Sequence, residues 1–146
     1  MEFPFGSAVV SLHAHATEDE QKLLEIIRSF VPPSVEVHRS CMQGHHGNPI
    51  VVFESRIDQK NELKEFWRTL LSRMDEATIS ELRKLVRERM DESCFLYLRF
   101  DKQAALDGKL VLTETGDSVH LKLKVIAFPA KREIAAAKVM DFLKVE

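Results

Sequence analysis

The sequence predicts an α+β fold class: a single domain in which a largely antiparallel sheet of about six strands carries amphipathic helices on one face. Two observations predict it. Segments with strand-like alternation follow one another in adjacent pairs, as in antiparallel sheets, and apolar residues recur at helical spacing in the segments between them. The predicted order is β-α-β-β-α-α-β-β-β-α, and neither a repeat nor a linker divides residues 1–146.

The first four elements have clear local signals. Residues 7–16 alternate in part between apolar and polar side chains, which predicts a strand. A helix follows, where Thr17 and Glu20 match a capping box, and its apolar stripe ends ahead of two prolines. Residues 35–42 and 50–57 predict a hairpin, because the loop between them contains two glycines, an asparagine and a proline.

Two helices and a second group of strands follow. The helix that begins at Asn61 has the most regular apolar stripe in the chain, and another helix begins after Asp75. The later elements are recognised by alternation and by the proline at the start of the last helix. They are a strand within residues 91–100, strands at residues 109–113 and 118–128, and a helix opened by Pro129.

Charge is distributed unevenly along a chain whose formal net charge is only −2. Residues 1–31 carry an excess of acids, whereas residues 118–140 carry five bases against one acid. An anionic partner would meet the basic region first, since exposed charges act over about 8 Å at physiological salt. The alternative is that both regions are solvated faces of a nearly neutral protein. The five bases are Lys122, Lys124, Lys131, Arg132 and Lys138.

Two parts of this region predict an anion-binding surface. His120, Lys122 and Lys124 alternate with apolar residues, which indicates a sheet face that is partly open to solvent. Lys131 and Arg132 stand at the start of the last helix, where unpaired backbone N–H groups attract anions. Cations at that end of a helix are unfavourable by about 0.3–1 kcal/mol each when exposed. A phosphate site explains their presence, and a solvated basic turn is the alternative.

Aromatic residues on the predicted strands raise the question of base stacking. Phe53, Phe95 and Tyr97 would stack on nucleobases if the sheet face is open, but strand aromatics more often belong to the core. The run of basic, glycine and aromatic residues that marks an RNA-recognition motif is missing. We therefore predict core positions for these residues and keep stacking as the alternative.

The sequence predicts neither an enzyme nor a metal site. His13 and His15 share a strand face and His45 and His46 lie in the hairpin loop, but no cysteine or glutamate stands at zinc-ligand spacing from them. Motifs of the GxSxG and P-loop types are absent, and no spacing of carboxylates marks an acid–base pair. We therefore predict no cofactor.

The remaining features concern the compartment. Cys41 and Cys94 are isolated, which is typical of reduced thiols in the cytosol. The first residues lack the basic segment of a signal peptide, and the apolar runs are far shorter than a membrane span. We expect a cytoplasmic protein without a membrane partner.

Four short motifs follow one another along the chain in an order that resembles a known family. They are Ala14-His15-Ala16-Thr17-Glu18-Asp19-Glu20, Gly47-Asn48-Pro49-Ile50, the segment from Arg89 to Gln103, and Pro129-Ala130-Lys131-Arg132. No single motif is diagnostic. In order and spacing, over about residues 8–143, they resemble the archaeal family described as RNA-binding, predicted exosome-subunit proteins.

The resemblance implies a fold like that of the large-subunit ribosomal protein that binds 5S ribosomal RNA. It also implies RNA binding without catalysis, beside the RNA-processing or ribosome machinery. The mild acidity of the chain departs from the basic character of most RNA binders. The motif positions that the resemblance marks are Asn48, Arg99, Asp101, Lys102, Gln103, Lys131 and Arg132.

We therefore expect a non-catalytic RNA-binding module that holds structured RNA through a basic surface. The alternative is a protein–protein adaptor that docks on a larger complex without touching RNA, which the near-neutral charge favours. Expected partners are RNA, a larger RNA-processing complex and, through an open sheet edge or face, a second copy in a homodimer. The predicted RNA contacts are Lys122, Lys124, Lys131, Arg132, Arg99 and Lys102, with Gln103 and Asn48 as polar contacts to sugar or base.

Overall fold

Five strands and five helices make up the computed structural model, which describes residues 2–15, 17–44, 47–114 and 116–144. The elements alternate along the chain in the order β-α-β-β-α-α-β-α-β-α. The strands are β1 (Phe5–Ala14), β2 (His38–Gln43), β3 (Pro49–Ile57), β4 (Phe95–Asp101) and β5 (Ser118–Val125). The helices are α1 (Glu20–Phe30), α2 (Lys60–Ser72), α3 (Glu76–Arg89), α4 (Lys102–Leu106) and α5 (Arg132–Phe142).

The strands form one sheet in the order β2-β3-β1-β5-β4, and every neighbouring pair is antiparallel. This confirms the predicted α+β class, with one correction to the order of elements. The strand predicted at residues 109–113 makes only a single bridge, between Leu112 and Phe100. The short helix α4 takes up the residues after β4, and Gly108, with a φ of +79°, turns the chain back beside β4 for only a few residues.

Alternation along the strands separates a core face from an open face. On β1, Ala8, Val10, Leu12 and Ala14 are buried beneath the helices, whereas the residues between them are partly or fully exposed. Because direct antiparallel partners share a face, the pairing register assigns the other strands as well. We call the second surface the open face. It consists of Ser7, Val9, Ser11, His13, His38, Ser40, Met42, Ile50, Val52, Glu54, Arg56, Phe95, Tyr97, Arg99, Asp101, Ser118, His120, Lys122 and Lys124.

The core lies between the other sheet face and the helices. Phe5 of β1 stacks on Trp67 of α2 with ring centroids 4.4 Å apart, and Phe142 of α5 meets both rings edge-on. Offset and edge-to-face aromatic pairs add about 0.5–1.5 kcal/mol beyond the area that they bury. This cluster fixes α2 and α5 against the end of the sheet where β1 begins.

The helix starts follow local hydrogen bonding. Asp19, not Thr17, caps α1, since its carboxylate accepts the backbone N–H of Gln21 at 3.0 Å. The predicted capping box is therefore wrong by two residues. Asp75 caps α3 in the same way, where its side chain accepts from Thr78. Within the part of the chain that the structure describes, no helix has the length and apolar character needed to cross a bilayer.

Candidate functional site

The pairing register arranges the open face in rows that run across the strands. Within a row, neighbouring strands are about 4.8 Å apart, so adjacent side chains are in contact range. The rows combine cationic and aromatic side chains on β4 and β5 with small side chains on β1. The first row contains Phe95, Lys124 and Ser7, the second contains Tyr97, Lys122, Val9 and Arg56, and the third contains Arg99, His120, Ser11 and Glu54.

Lys122 and Lys124 form the centre of the positive charge on this face. Their ammonium groups lie 4.5 and 4.6 Å from the ring centroid of Phe95, so the same aromatic side chain holds both. Lys124 also donates to the backbone carbonyl of Ser93 at 2.7 Å. Neither lysine forms an ion pair with another described residue. Two like charges are thus held close together by cation–π contacts. Asp91 is near enough for the charge of Lys124 to contribute to its lowered pKa, but it forms no ion pair with either lysine, so both ammonium groups can still attract an incoming anion.

Tyr97 exposes 41% of its surface beside this pair. Its hydroxyl donates to Oδ2 of Asp91 at 3.1 Å, which fixes the ring over the sheet. Partial burial and this hydrogen bond raise the pKa of Tyr97. The backbone N–H of Phe95 lowers the pKa of Asp91, and the tyrosine hydroxyl contributes to the same shift. Asp91 is therefore a carboxylate at neutral pH that positions the ring.

Arg99 and His120 continue the face in the next row. Arg99 donates to the backbone carbonyl of Glu114 at 3.5 Å, and its guanidinium forms no ion pair among the residues described. Burial lowers the pKa of His120, and the positive charge of Arg99 and the neighbouring His13 lower it further. The imidazole of His120 is consequently neutral at pH 7 and offers both a hydrogen-bond donor and an acceptor.

Lys131 and Arg132 occupy the start of α5, next to the turn at residues 91–94. The guanidinium of Arg132 donates to the carbonyl of Arg87 at 2.8 Å and lies 3.5 Å from the carboxylate of Glu92. Lys131 is the N-cap residue, is exposed and makes no capping hydrogen bond through its side chain. Because Ser93 of the same turn binds Lys124, this second basic group adjoins the open face. Lys131 is free to meet an anion, whereas Arg132 is already engaged.

The structure corrects the placement of Lys102. This side chain is only 4% exposed, and its ammonium is bound by the carbonyl of His13 at 2.9 Å, by Glu18 at 2.9 Å and by Asp117 at 2.7 Å. A lysine that satisfies all three of its donors inside the protein is unavailable to a phosphate. Lys102 is therefore a structural residue that ties α4 to β1 and to the segment ahead of β5.

Asn48 and Gln103 lie at the end of the sheet that is opposite Lys124. Asn48 is exposed in the β2–β3 hairpin, where its carbonyl accepts the N–H of Gly44 at 2.7 Å. Gln103 is exposed on α4. Six residues separate Ser118, at this end of β5, from Lys124, which corresponds to about 20 Å along the strand. The structure thus groups Arg99, Lys122 and Lys124 on neighbouring strands and leaves the two amides far from Lys124. Gln103 follows Arg99 by only four residues, at the start of α4.

His15, Glu18 and Asp117 form a cluster in which one potential ligand atom from each lies within 4.8 Å of the others. The ammonium of Lys102 already binds both carboxylates, so it supplies the positive charge that a metal ion would bring. These donors therefore fit an ion-pair cluster. His13 lies on the open face, 6.4 Å from the ring of His120, and His45 and His46 lie outside the described residues.

Two features of this face were missed by sequence reasoning. Of the three strand aromatics, only Phe53 is buried, so the core prediction is confirmed for Phe53 and wrong for Tyr97, while Phe95 is half-buried. The alternation of Tyr97 with buried Leu96 and Leu98 was the signal that could have placed it outside. The second feature is a depression of about 360 Å³ in this face, which no local pattern reveals.

An antiparallel sheet with one bare face of lysines, arginines and an exposed tyrosine defines an α+β protein with a surface suited to nucleic acid. The chain belongs to the family described as RNA binding, whose family model matches residues 7–125. This confirms the archaeal RNA-binding family that the motifs resemble, whereas the exosome assignment and the likeness to a ribosomal protein stay predictions.

Relatives support the same assignment over nearly the full chain. An RNA-binding protein from Pyrococcus abyssi is 33% identical over 137 residues, which covers 90% of this chain and 89% of the relative. A solved DUF54 protein from Methanothermobacter thermautotrophicus is 35% identical with a TM-score of 0.81, over 97% of this chain and 100% of that one. A DUF54 protein from Archaeoglobus fulgidus is 34% identical with a TM-score of 0.84, over 96% and 99%.

Proposed function

We propose that this protein is a non-catalytic module that holds structured RNA through phosphate contacts on its open face. One observation carries the proposal: the ammonium groups of Lys122 and Lys124 are held together over Phe95, and neither forms an ion pair with a described residue. A phosphate that approaches both relieves their repulsion and releases counter-ions from the RNA, which is the main source of affinity for nucleic acids.

The segregation of charge explains how a chain with a net charge of −2 attracts a polyanion. The described part of the open face has four cations, namely Arg56, Arg99, Lys122 and Lys124, against two carboxylates, Glu54 and Asp101. Asp101 is used to cap α4, and Arg56 lies 3.8 Å from Asp58. Most acids lie elsewhere, and those of α1 and the segment ahead of β5 are used in part to hold Lys102 and Arg39. Local potential, rather than net charge, governs association over a Debye length.

Lys131 and Arg132 extend the proposed surface past the turn at residues 91–94. Lys131 contributes a free ammonium, and Arg132 contributes positive charge while it stays bound to Arg87 and Glu92. At the far end of the sheet, Asn48 and Gln103 are exposed, and we keep them as proposed contacts to a sugar or base of an RNA that runs along the strands. Lys102 has no part in this proposal because its ammonium is buried.

The dependence of RNA affinity on salt tests the proposal. The double variant Lys122→Ala/Lys124→Ala loses two phosphate contacts, so the slope of log affinity against log salt should flatten by about 1.4 for a single strand. Lys60→Ala/Lys64→Ala removes the same charge from α2 on the other side of the sheet and serves as the matched control. Equal slopes for the two double variants would refute the assignment of the open face.

The same salt titration tests how much Lys131 and Arg132, at the start of α5, contribute to RNA affinity. Lys131→Ala/Arg132→Ala should flatten the slope by less than the open-face double variant, because only Lys131 has a free side chain. An unchanged affinity and slope in this variant would remove both residues from the surface. Urea unfolding of each variant establishes that the protein is folded under the conditions of the titration.

We further propose that the module works within an RNA-processing or ribosomal assembly, as the family resemblance implies. Co-purification from the native host before and after nuclease treatment tests this proposal: partners that are held through RNA should be lost on digestion.

β2 offers a route to a homodimer, because all six of its residues are exposed and no described strand pairs with its outer edge. Sedimentation of the protein, with Met42→Lys as the edge variant, tests that arrangement.

A groove on the helical side favours a second candidate function, that of a protein–protein adaptor. The groove has a volume of about 630 Å³ and combines the aromatic rings of Phe3, Trp67 and Phe142 with cations on α2. Lys60, Lys64 and Arg68 stand one helical turn apart along it and form no ion pairs with described residues. An acidic peptide with an apolar anchor would fit these charges. Partners that survive nuclease but are lost in Lys64→Glu would support the adaptor.

A further inference from the structure

A depression of about 360 Å³ lies within the open face, between the exposed ring of Tyr97 and the third row of side chains. Its lining includes Ser11, Glu54, Arg89, Tyr97, Arg99 and Lys122. Tyr97 on β4 and Glu54 on β3 line opposite sides of the depression, with β5 and β1 between them. This volume is at the lower end of the range for small-molecule sites in proteins. We propose that the depression receives one unpaired nucleotide of the bound RNA, with the base against Tyr97 and its N–H edge toward Glu54. The inference rests on the proposed function and adds to it the kind of RNA element that is recognised.

Tyr97 provides a ready surface for a base. It lies in the middle of the face with a large exposed fraction, and its hydrogen bond to Asp91 holds the ring in place before any ligand arrives. Base–aromatic stacking contributes about 1–3 kcal/mol per base. Phe95 is a poorer platform, because the ammonium groups of Lys122 and Lys124 already lie against its ring. The ammonium of Lys122 also lies 6.0 Å from the ring centroid of Tyr97, but this contact is longer than those to Phe95 and involves one cation instead of two. Among the described aromatics of the open face, Tyr97 is therefore the more accessible ring.

The geometry selects an unpaired nucleotide over a base pair. Each base inside an RNA helix is already stacked above and below, and the deep, narrow major groove hides its edges from side chains. A helix laid on this sheet would therefore meet the protein through phosphate and sugar alone. A loop or bulge can turn one base toward Tyr97 while its flanking phosphates remain near Lys122 and Arg99. Structured RNA with such a nucleotide can contact Lys122 and Arg99 through its phosphates and Tyr97 through its unpaired base.

Glu54 determines which base the proposed nucleotide site prefers. Its side chain is exposed beside the cations of this face and forms no ion pair with any described residue. A carboxylate repels phosphate and accepts hydrogen bonds, so it suits the N–H groups of a base rather than the backbone. Guanine presents two adjacent N–H groups on its Watson–Crick edge, which a carboxylate accepts in a bidentate pair. Ser11 and His120, in the same row as Glu54, complete the set of polar partners.

The first test compares a ten-nucleotide single strand with a ten-base-pair duplex by fluorescence anisotropy. Tyr97→Ala should weaken binding of the single strand by about fivefold to a hundredfold and leave duplex binding within about twofold. Tyr97→Phe, which keeps the ring, should retain most of the single-strand affinity. If Tyr97→Ala leaves single-strand binding unchanged, or weakens both ligands equally, the inference is overturned.

The second test examines the base preference. We compare an oligouridylate with the same oligomer carrying a guanosine at every third position. The wild type should prefer the guanosine oligomer, and Glu54→Gln should lose that preference while its affinity for oligouridylate rises, because a negative charge is removed. No preference in the wild type would refute the role of Glu54.

The outcomes separate this inference from the proposed function. If Lys122→Ala/Lys124→Ala weakens RNA binding but Tyr97→Ala does not, the phosphate-binding face stands and the nucleotide site falls. If the wild type binds neither the strand nor the duplex, both proposals fall. Urea unfolding of Tyr97→Ala and Tyr97→Phe separates a loss of binding from a loss of folded protein.

Discussion

Lys102→Met is expected to destabilise the protein although the residue resembles a surface lysine in the sequence. The substitution keeps most of the aliphatic chain and removes an ammonium that binds Glu18, Asp117 and the carbonyl of His13. Breaking a buried ion pair by removing one partner costs about 3–5 kcal/mol. The two carboxylates are 26% and 48% exposed, so water recovers part of this loss. We therefore expect the free energy of unfolding to fall by about 2–3 kcal/mol.

Urea unfolding measures this change. With a typical denaturant dependence of about 1–3 kcal/mol per molar, the urea midpoint should fall by about 0.7–3 M. Lys131→Met is the matched control, because the same substitution at an exposed lysine should change the free energy by no more than about 0.5 kcal/mol. A similar, small change in both variants would refute the description of Lys102 as the cation of an internal cluster.

The same variant distinguishes a structural role from RNA contact. At a temperature where Lys102→Met is fully folded, its affinity for RNA and the salt dependence of that affinity should match the wild type. Lys122→Met should show the opposite behaviour, with nearly unchanged stability and weaker binding. Loss of affinity in folded Lys102→Met would contradict its removal from the proposed contact surface.

Three further predictions concern stability. Trp67→Ala should lower the free energy of unfolding by about 3–5 kcal/mol, because it opens a cavity beside Phe5 and Phe142. Thermal unfolding measures this loss. A loss below about 1 kcal/mol would contradict the described packing of Trp67. Burial lowers the pKa of His120 below its ordinary value of 6.5, so the unfolded chain takes up the proton first and the free energy of unfolding falls as the pH drops below 6.5. His120→Asn should reduce the dependence of the free energy of unfolding on pH between pH 7.5 and 5. An unchanged dependence would exclude His120 as its source. Gly108→Ala should cost about 1 kcal/mol through backbone strain alone, since φ is +79° and no atom lies within 4 Å of the added carbon, and Gly108→Asn should cost less.

Periodicity was sufficient to predict most of the fold. The apolar stripes of α1 and α2 match the buried residues of those helices, since burial of one helix face follows directly from spacing along the chain. Strand alternation likewise predicted that Lys122 and Lys124 point away from the core. What spacing did not predict was the short helix α4, because a five-residue helix is too short to show a repeating pattern.

The candidate site was predictable only where it depends on a single strand. Lys122 and Lys124 share β5, so alternation places them on one face without any knowledge of the sheet order. Tyr97, Glu54 and Ser11 come together only because β4, β5, β1 and β3 are neighbours, and that order is a property of the whole fold. Lys102 was misplaced for the same reason, since its partners Glu18 and Asp117 are distant in sequence and their convergence is a tertiary effect.

The division of each strand between two faces has a consequence for how the family can diversify. Residues that carry the hydrophobic core and residues proposed to meet RNA alternate within β1, β4 and β5, yet no side chain serves both purposes. Substitutions at the exposed positions can therefore change binding selectivity with little change in the free energy of unfolding, because the buried residues between them maintain the fold. Proteins with the same architecture can thus differ at the exposed positions and keep the same fold.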